Sequence, residues 1–214
     1  MSLKKTTLIG IAILMCVLSL GISGQTVTPF VSGLKAPGKV IYSQRQQFFL
    51  VSESGIPSIP NSGRISIITR QGDRYTLIDG LPSGAAPPEN APAGPSALWI
   101  EGNKLYIAIS TGNATLAGPV PGSEIPNPNP NSPIFSSVLE YTFAPFGLRF
   151  GRTEYNVLDP EDHMRLANGE TVLIGLPGRP RATLRLIANF PDFTPAPRPG
   201  FPILSEIPIH SVWW

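Results

Sequence analysis

The feature that most constrains this chain is a repeat. Three segments end alike, at Phe30-Val-Ser-Gly-Leu34, Leu77-Ile-Asp-Gly-Leu81 and Leu186-Ile-Ala-Asn-Phe190, and the last two run straight into Pro82 and Pro191. Each ending is followed by a small-residue or Pro-rich loop and a short apolar run: Pro37-Gly-Lys-Val-Ile-Tyr42, Pro95-Ser-Ala-Leu-Trp-Ile100 and Pro208-Ile-His-Ser-Val-Trp-Trp214. Call these runs strand A. In two copies a polar turn leads to a strand B, Phe48–Glu53 and Leu105–Ser110. A strand C follows, Arg64–Thr69 and Ser137–Phe143, and in the first copy a strand D, Tyr75–Leu81. The β-branched content and flanking glycines favour strand even where Ile67-Ile68 breaks the alternation. The first period, Leu34 to Leu81, is 47 residues. Four short strands per ~40–50 residues is the arithmetic of a propeller blade.

The second copy is longer by about 60 residues, carried by two insertions at 111–136 and 144–181. The first is rich in Pro, Gly and Asn and includes Pro126-Asn-Pro-Asn-Pro-Asn131, which predicts an extended loop because proline fixes φ and removes ladder donors. The second predicts a helix at Asp159–Asn168, with Asp159 as cap and Pro160 at the first helical position, and a strand at Thr171–Leu176. Pro and Gly together make about one residue in five and charged residues only 14%. That balance suits a loop-rich all-β chain and argues against coiled coils, acidic tails and basic nucleic-acid binders.

The amino terminus reads as a targeting segment. Lys4 and Lys5 precede an apolar run from Leu8 to Ile22, then Ser23, Gly24 and polar Gln25, which predicts a signal helix over 1–24 and an exported protein: periplasmic, extracellular or at the cell surface. An uncleaved anchor is the alternative, although the run is shorter than the ~20 residues of a span. Cys16, the one cysteine, follows Met15 rather than the small residue a lipoprotein signal wants. Removing the leader leaves 14 basic and 14 acidic residues and no cysteine, so disulfides, thiol catalysis and electrostatic binding to nucleic acid or anionic membrane are not expected, nor is a membrane span after cleavage.

Ser32-Gly-Leu34 with its Pro-Gly turn, Phe48-Phe-Leu-Val-Ser-Glu-Ser-Gly55, Gly63-Arg-Ile-Ser-Ile67, Ile78-Asp-Gly-Leu-Pro82, Gly94-Pro-Ser96 before Leu105-Tyr-Ile107, and Leu186-Ile-Ala-Asn-Phe190 together resemble the ScyD/ScyE-like proteins. That exported family is associated with scytonemin biosynthesis in some cyanobacteria. The resemblance implies a six-bladed β-propeller fold. The expected organisation is therefore all-β: an incomplete propeller of about two four-stranded blades plus flanking strands. Residues 25–190 form the blades, and 191–214 a Pro-rich loop and the start of a third blade, as in an amino-terminal fragment of a longer protein. Open blade edges would invite self-association. The rival expectation is a small β domain that dimerises to cover its flank.

Alternating chain direction places the B-to-C and D-to-A loops on one face, so the segments 81–95, 111–136 and 191–208 should crowd it. Loops on one end of a rigid sheet scaffold are where binding usually sits. Glu53, Ser110 and Asn113 follow the two B strands there and are the candidate binding residues. In sugar-lactonase-like propellers such loops supply Glu, Asn and Asp to calcium, a hard cation that takes oxygen ligands. Here only Glu53 and Asn113 suit, Ser110 stands where a second acid would be, and a solvated turn carboxylate is the plainer reading of Glu53. Asp159, Glu161, Asp162 and His163 form the densest charged cluster. It reads either as an acid/base or metal group or as a capped helix start, since acids favour helix N-termini. Asn113-Ala-Thr115 fits a glycosylation acceptor, His210 reads as structural, and Arg179, Arg181 and Arg185 as a solvated face. The sequence carries no nucleophile elbow, His-Glu-x-x-His, P-loop, dinucleotide fingerprint or cysteine metal motif. A binding or scaffold role is therefore expected. A sugar-lactonase- or sugar-dehydrogenase-like enzyme and a surface adhesion or assembly module are the alternatives.

Overall fold

The structure, a computed structural model, describes residues 27–121, 123–143, 157–176 and 179–192. The expected leader with Cys16, most of 191–214 with His210, and residues 144–156 lie outside the described residues. The chain divides at Ser32/Gly33. Residues 27–32 carry no helix or strand, and every element below belongs to the second unit.

The architecture is all-β with a single helix among the described residues. The first sheet is an antiparallel meander in the order β1 (Pro37–Ser43), β2 (Phe48–Glu53), β3 (Gly63–Ile68), β4 (Arg74–Leu81). The expected strand at Phe30–Leu34 is not found. The chain just after it pairs locally instead: the carbonyls of Lys35 and Ala36 accept from the amides of Gly55 and Ser54 at 3.2 and 2.9 Å.

A small hairpin of two three-residue strands, β5 (Gly84–Ala86) and β6 (Ala91–Ala93), separates this sheet from the second. The second sheet contains β7 (Pro95–Glu101), β8 (Lys104–Ile109), β11 (Ser137–Phe143), β12 (Val172–Leu176) and β13 (Arg179–Asn189) in the spatial order β12-β13-β11-β8-β7. Its ladders are antiparallel throughout. Four of its strands repeat the meander of the first sheet. The fifth, β12, is the strand expected at Thr171–Leu176, added at the edge by the second insertion. The first insertion is not wholly extended loop. It contains the small pair β9 (Thr115–Ala117) and β10 (Glu124–Pro126), with Pro126 at the end of its strand, where a missing donor costs least.

Period-two alternation decides which side chains meet. Leu105, Ile107 and Ile109 on β8, Leu139, Tyr141 and Phe143 on β11, and Ala182 and Leu184 on β13 face one way. They form one core with Phe48, Leu50, Ile65 and Ile67 of the first sheet. The two sheets thus pack face to face, with β7 against β1, β2 and β3. The broken alternation at Ile67-Ile68 has a structural cause: β3 is buried on both faces, with Ile67 in the shared core and Ser66 and Ile68 buried opposite. On β4 an extra residue between the partners of Ile65 and Ser66 makes a bulge, which lets Leu77 and Ile78 both enter the core. The far face of the second sheet is open: Trp99, Leu173 and Ile187 are exposed.

The helix, Pro160–Ala167, lies where it was expected. Asp159 caps it, its side chain accepting from the Asp162 amide at 2.8 Å while Asp162 reaches back to the Asp159 amide, a capping box with Pro at the start. The helix packs on β12 and β13 and buries His163 and Leu166. Just before it, Val157 pairs with Asp79 and the Leu158 amide donates to the Asp79 carbonyl at 3.0 Å. Gly80, at φ +73°, permits this approach, because a Cβ there would collide with the Leu158 carbonyl.

Candidate functional site

Three connections meet at one end of the stacked sheets: the β2–β3 loop, the β4–β7 segment and the β8–β11 segment. Backbone polar groups in such loops must find partners when water is excluded, and here they find one another. The Ser62 amide donates to Ser83 Oγ at 2.7 Å, and the Asn61 amide to the Ser83 carbonyl at 3.2 Å. Asn61 Nδ2 donates to the Asn131 carbonyl at 3.0 Å, and Asn131 Nδ2 returns to the Ser83 carbonyl at 3.3 Å. Asn61 sits at φ +52°, in the left-handed region that Asn tolerates better than most residues. Its Oδ1 is buried and accepts no hydrogen bond among the described residues. The expected convergence of segments 81–95 and 111–136 is therefore a hydrogen-bonded joint, with the β2–β3 loop as its third member; 193–208 lies outside the described residues.

Ser110 and Asn113 belong to this joint. The Ser110 amide and hydroxyl both donate to the Gly94 carbonyl at 2.9 Å. Asn113 Oδ1 accepts the Asn131 amide at 2.9 Å, and its carbonyl accepts Asn127 Nδ2 at 2.6 Å. Gly112, at φ +53°, admits the Phe135 ring where a Cβ would stand. The glycosylation reading of Asn113 meets an obstacle: Thr115 is 2% exposed and its hydroxyl donates to Glu124 at 2.6 Å.

Glu53 is not the solvated carboxylate of the plainer sequence reading. It is fully buried, and both its oxygens are occupied. Oε2 accepts the Lys35 amide at 2.6 Å and lies 3.6 Å from the Arg74 guanidinium, while Oε1 accepts the Ser66 hydroxyl. The carboxylate ties the approach to β1 to β3 and β4. It shares no hydrogen-bond partner with Ser110 or Asn113. A calcium ion needs six to eight oxygens turned toward it. Carboxylate oxygens filled by an amide, a hydroxyl and a guanidinium do not fit that demand, so Glu53 and Asn113 do not make a calcium site. Among the described residues no group of three or more His, Cys, Asp or Glu is placed to hold a metal.

The acidic cluster resolves into the capped helix start. Asp159 and Asp162 are taken by the capping box, and Arg165 pairs with Asp162 and Glu170 at 3.3 and 3.1 Å. His163 behaves differently. It is 1% exposed, its Nε2 lies 2.8 Å from the Gly80 carbonyl, and its Nδ1 is buried without a partner among the described residues. Burial pushes its pKa below the ordinary histidine value, opposed by the Gly80 hydrogen bond and by Asp162 and Asp159.

Sequence reasoning also missed Glu140. It lies on the open face of the second sheet yet is 4% exposed, because Arg185 Nε and Lys104 Nζ close on it at 2.8 and 3.0 Å. The Arg185 hydrogen bond, with help from Lys104 and against desolvation, holds its pKa down to about 2. Arg185, expected on a solvated face, is half exposed but committed to this pair. A lone acid between Leu139 and Tyr141 in an otherwise uncharged strand was the available signal.

No helix of the described residues is long and apolar enough to cross a membrane. Comparison with family models, with curated proteins and with solved structures finds no match to this chain.

Proposed function

We propose that this chain is part of an exported β-propeller of the ScyD/ScyE-like kind, and that it serves as a binding scaffold rather than a catalyst. One observation carries the reading: the joint through Asn61, Ser62, Ser83 and Asn131, which fastens loops from two stacked four-strand meanders into a single platform. Loops held this firmly lose little entropy when a ligand settles on them, and that favours recognition. The platform also presents apolar side chains to solvent, among them Ile59, Leu116 and Ile125. Glu53, the carboxylate that a lactonase-like site would use, is engaged with Lys35, Ser66 and Arg74, and His163 of the separate acid/base cluster is engaged with Gly80.

The test pairs two assays on the full chain. A glycan and peptide array should show binding that is lost in the triple variant Ile59→Ser, Leu116→Ser, Ile125→Ser while its melting temperature is unchanged. Turnover of sugar lactones, raised by calcium and abolished by Glu53→Gln in a folded protein, would overturn the scaffold reading in favour of the enzyme.

A further inference from the structure

The segment from Val157 to Leu176 bridges the two sheets in a way the scaffold reading does not use. Its first residues pair with β4 of the first sheet, through Val157 with Asp79 and the Leu158 amide with the Asp79 carbonyl. Its helix and β12 belong to the second sheet. Leu158 and Leu166 enter the shared core. From this segment His163 spans the seam, reaching from the helix to the Gly80 carbonyl.

That contact has a required protonation state. A carbonyl accepts, so Nε2 carries the hydrogen and donates to Gly80. Neutral imidazole then leaves Nδ1 as a bare acceptor, buried with no partner among the described residues. Adding a proton there creates a buried cation whose new N–H meets no acceptor among the described residues, and an unpaired buried charge is strongly disfavoured.

The surrounding charges do not remove the conflict. On the helix, Asp159 and Asp162 favour the cation, but each is held in the capping box; Arg165 is taken by Asp162 and Glu170, and exposed Glu161 lies in the first turn. On β4, Asp79 is paired with Arg64 and bonded to the Gly80 amide. On β13, Arg185 belongs to the opposite face with Glu140, and β12 carries no charged residue.

We propose that residues 157–176 form a proton-released clasp: the helix docks on Gly80 only while His163 is neutral, and mild acid frees it and opens the seam between the sheets. The sign follows from linkage. The docked histidine has a pKa below its free value, so docking is favoured at and above neutral pH and weakens as the pH falls through about 6.5. Below that value the opening equilibrium rises as the pH falls, by up to about tenfold per pH unit, until the docked pKa is reached. Release bares Leu158, Leu166 and the core residues beneath them. Above about pH 6.5 the imidazole is neutral and the contact, with Gly80 and His163 both buried, stays closed.

The experiment is hydrogen–deuterium exchange on the full chain between pH 7.5 and 5.0, corrected for the intrinsic rate. An NMR titration of the two histidines accompanies it, with His210→Gln used for assignment. Amides of 157–167 and of 78–81 should lose protection progressively as the pH falls from about 6.5 to 5, with those of β8 and β11 unaffected, and His163 should titrate below the ordinary histidine value. His163→Gln, whose amide donates to Gly80 without ionising, should keep the helix protected at pH 5. The proposal is overturned if protection is unchanged across this range, if His163 titrates at or above the ordinary value, or if His163→Gln releases as the natural chain does. None of these readouts depends on ligand binding, so the clasp and the scaffold reading stand or fall separately.

Discussion

The Lys104–Glu140–Arg185 group gives the sharpest quantitative test of the electrostatics. The perturbation is Glu140→Gln, which keeps the shape and removes the charge. A fall in pKa from 4.5 to about 2 corresponds to an upper bound of about 3 kcal/mol. The two cations are 40% and 52% exposed, so water screens the interaction and about 1–2 kcal/mol is the expected loss at pH 7. The pH dependence has a definite sign. The folded-state pKa is depressed, so the contribution is complete well above 4.5 and declines as the pH falls toward 2. Protonated Glu resembles Gln, and more than half of the difference between the two proteins should be gone by about pH 3. Urea unfolding of both proteins from pH 7 to pH 3 reads this directly, because all other carboxylates cancel in the comparison. Molar salt should shrink the difference at pH 7 as well. A difference that stays constant across this range, or is absent at pH 7, would refute the assignment of Glu140 as a charge held by its two neighbours.

Three further outcomes follow from particular contacts. Ser83→Ala leaves the buried Ser62 amide without its acceptor and should cost about 1–3 kcal/mol in chemical denaturation. Gly80→Ala forces a left-handed Cβ into the Leu158 carbonyl; about 2–4 kcal/mol should be lost in the same assay, with faster exchange of the Leu158 amide. Asp159→Ala removes the cap and one arm of the capping box, costing about 1 kcal/mol with the strand amides unaffected, as read by exchange confined to 160–167.

The strands were legible because period-two alternation and polar turns are local signals, and β2, β8 and β11 fall within a residue of where the pattern puts them. The helix was legible for the same reason, since Asp159, Pro160 and Asp162 write its start within four residues. What failed was whatever depends on a distant partner. Nothing around Glu53 in the chain announces Lys35, Ser66 and Arg74, so a residue at the mouth of a loop read as solvated. His163 gave a helix position but not the strand it docks on, 83 residues away. Ile67 and Ile68 looked like a fault in the pattern and are the mark of a strand covered on both sides. The pair β9–β10 lay hidden in a Pro- and Gly-rich stretch whose composition alone speaks for loop.

The loops joined through Asn61, Ser83 and Asn131 form one rigid platform with the sheets beneath them. Native-state hydrogen exchange at neutral pH tests it most directly, through the amides of Ser62, Asn127 and Asn131, which donate to Ser83 Oγ, the Ala114 carbonyl and Asn113 Oδ1. The account predicts that these three loop amides open with the same free energy as those of Leu50 and Ile107 in the core strands. Loop amides that exchange freely while the strands remain protected would contradict it.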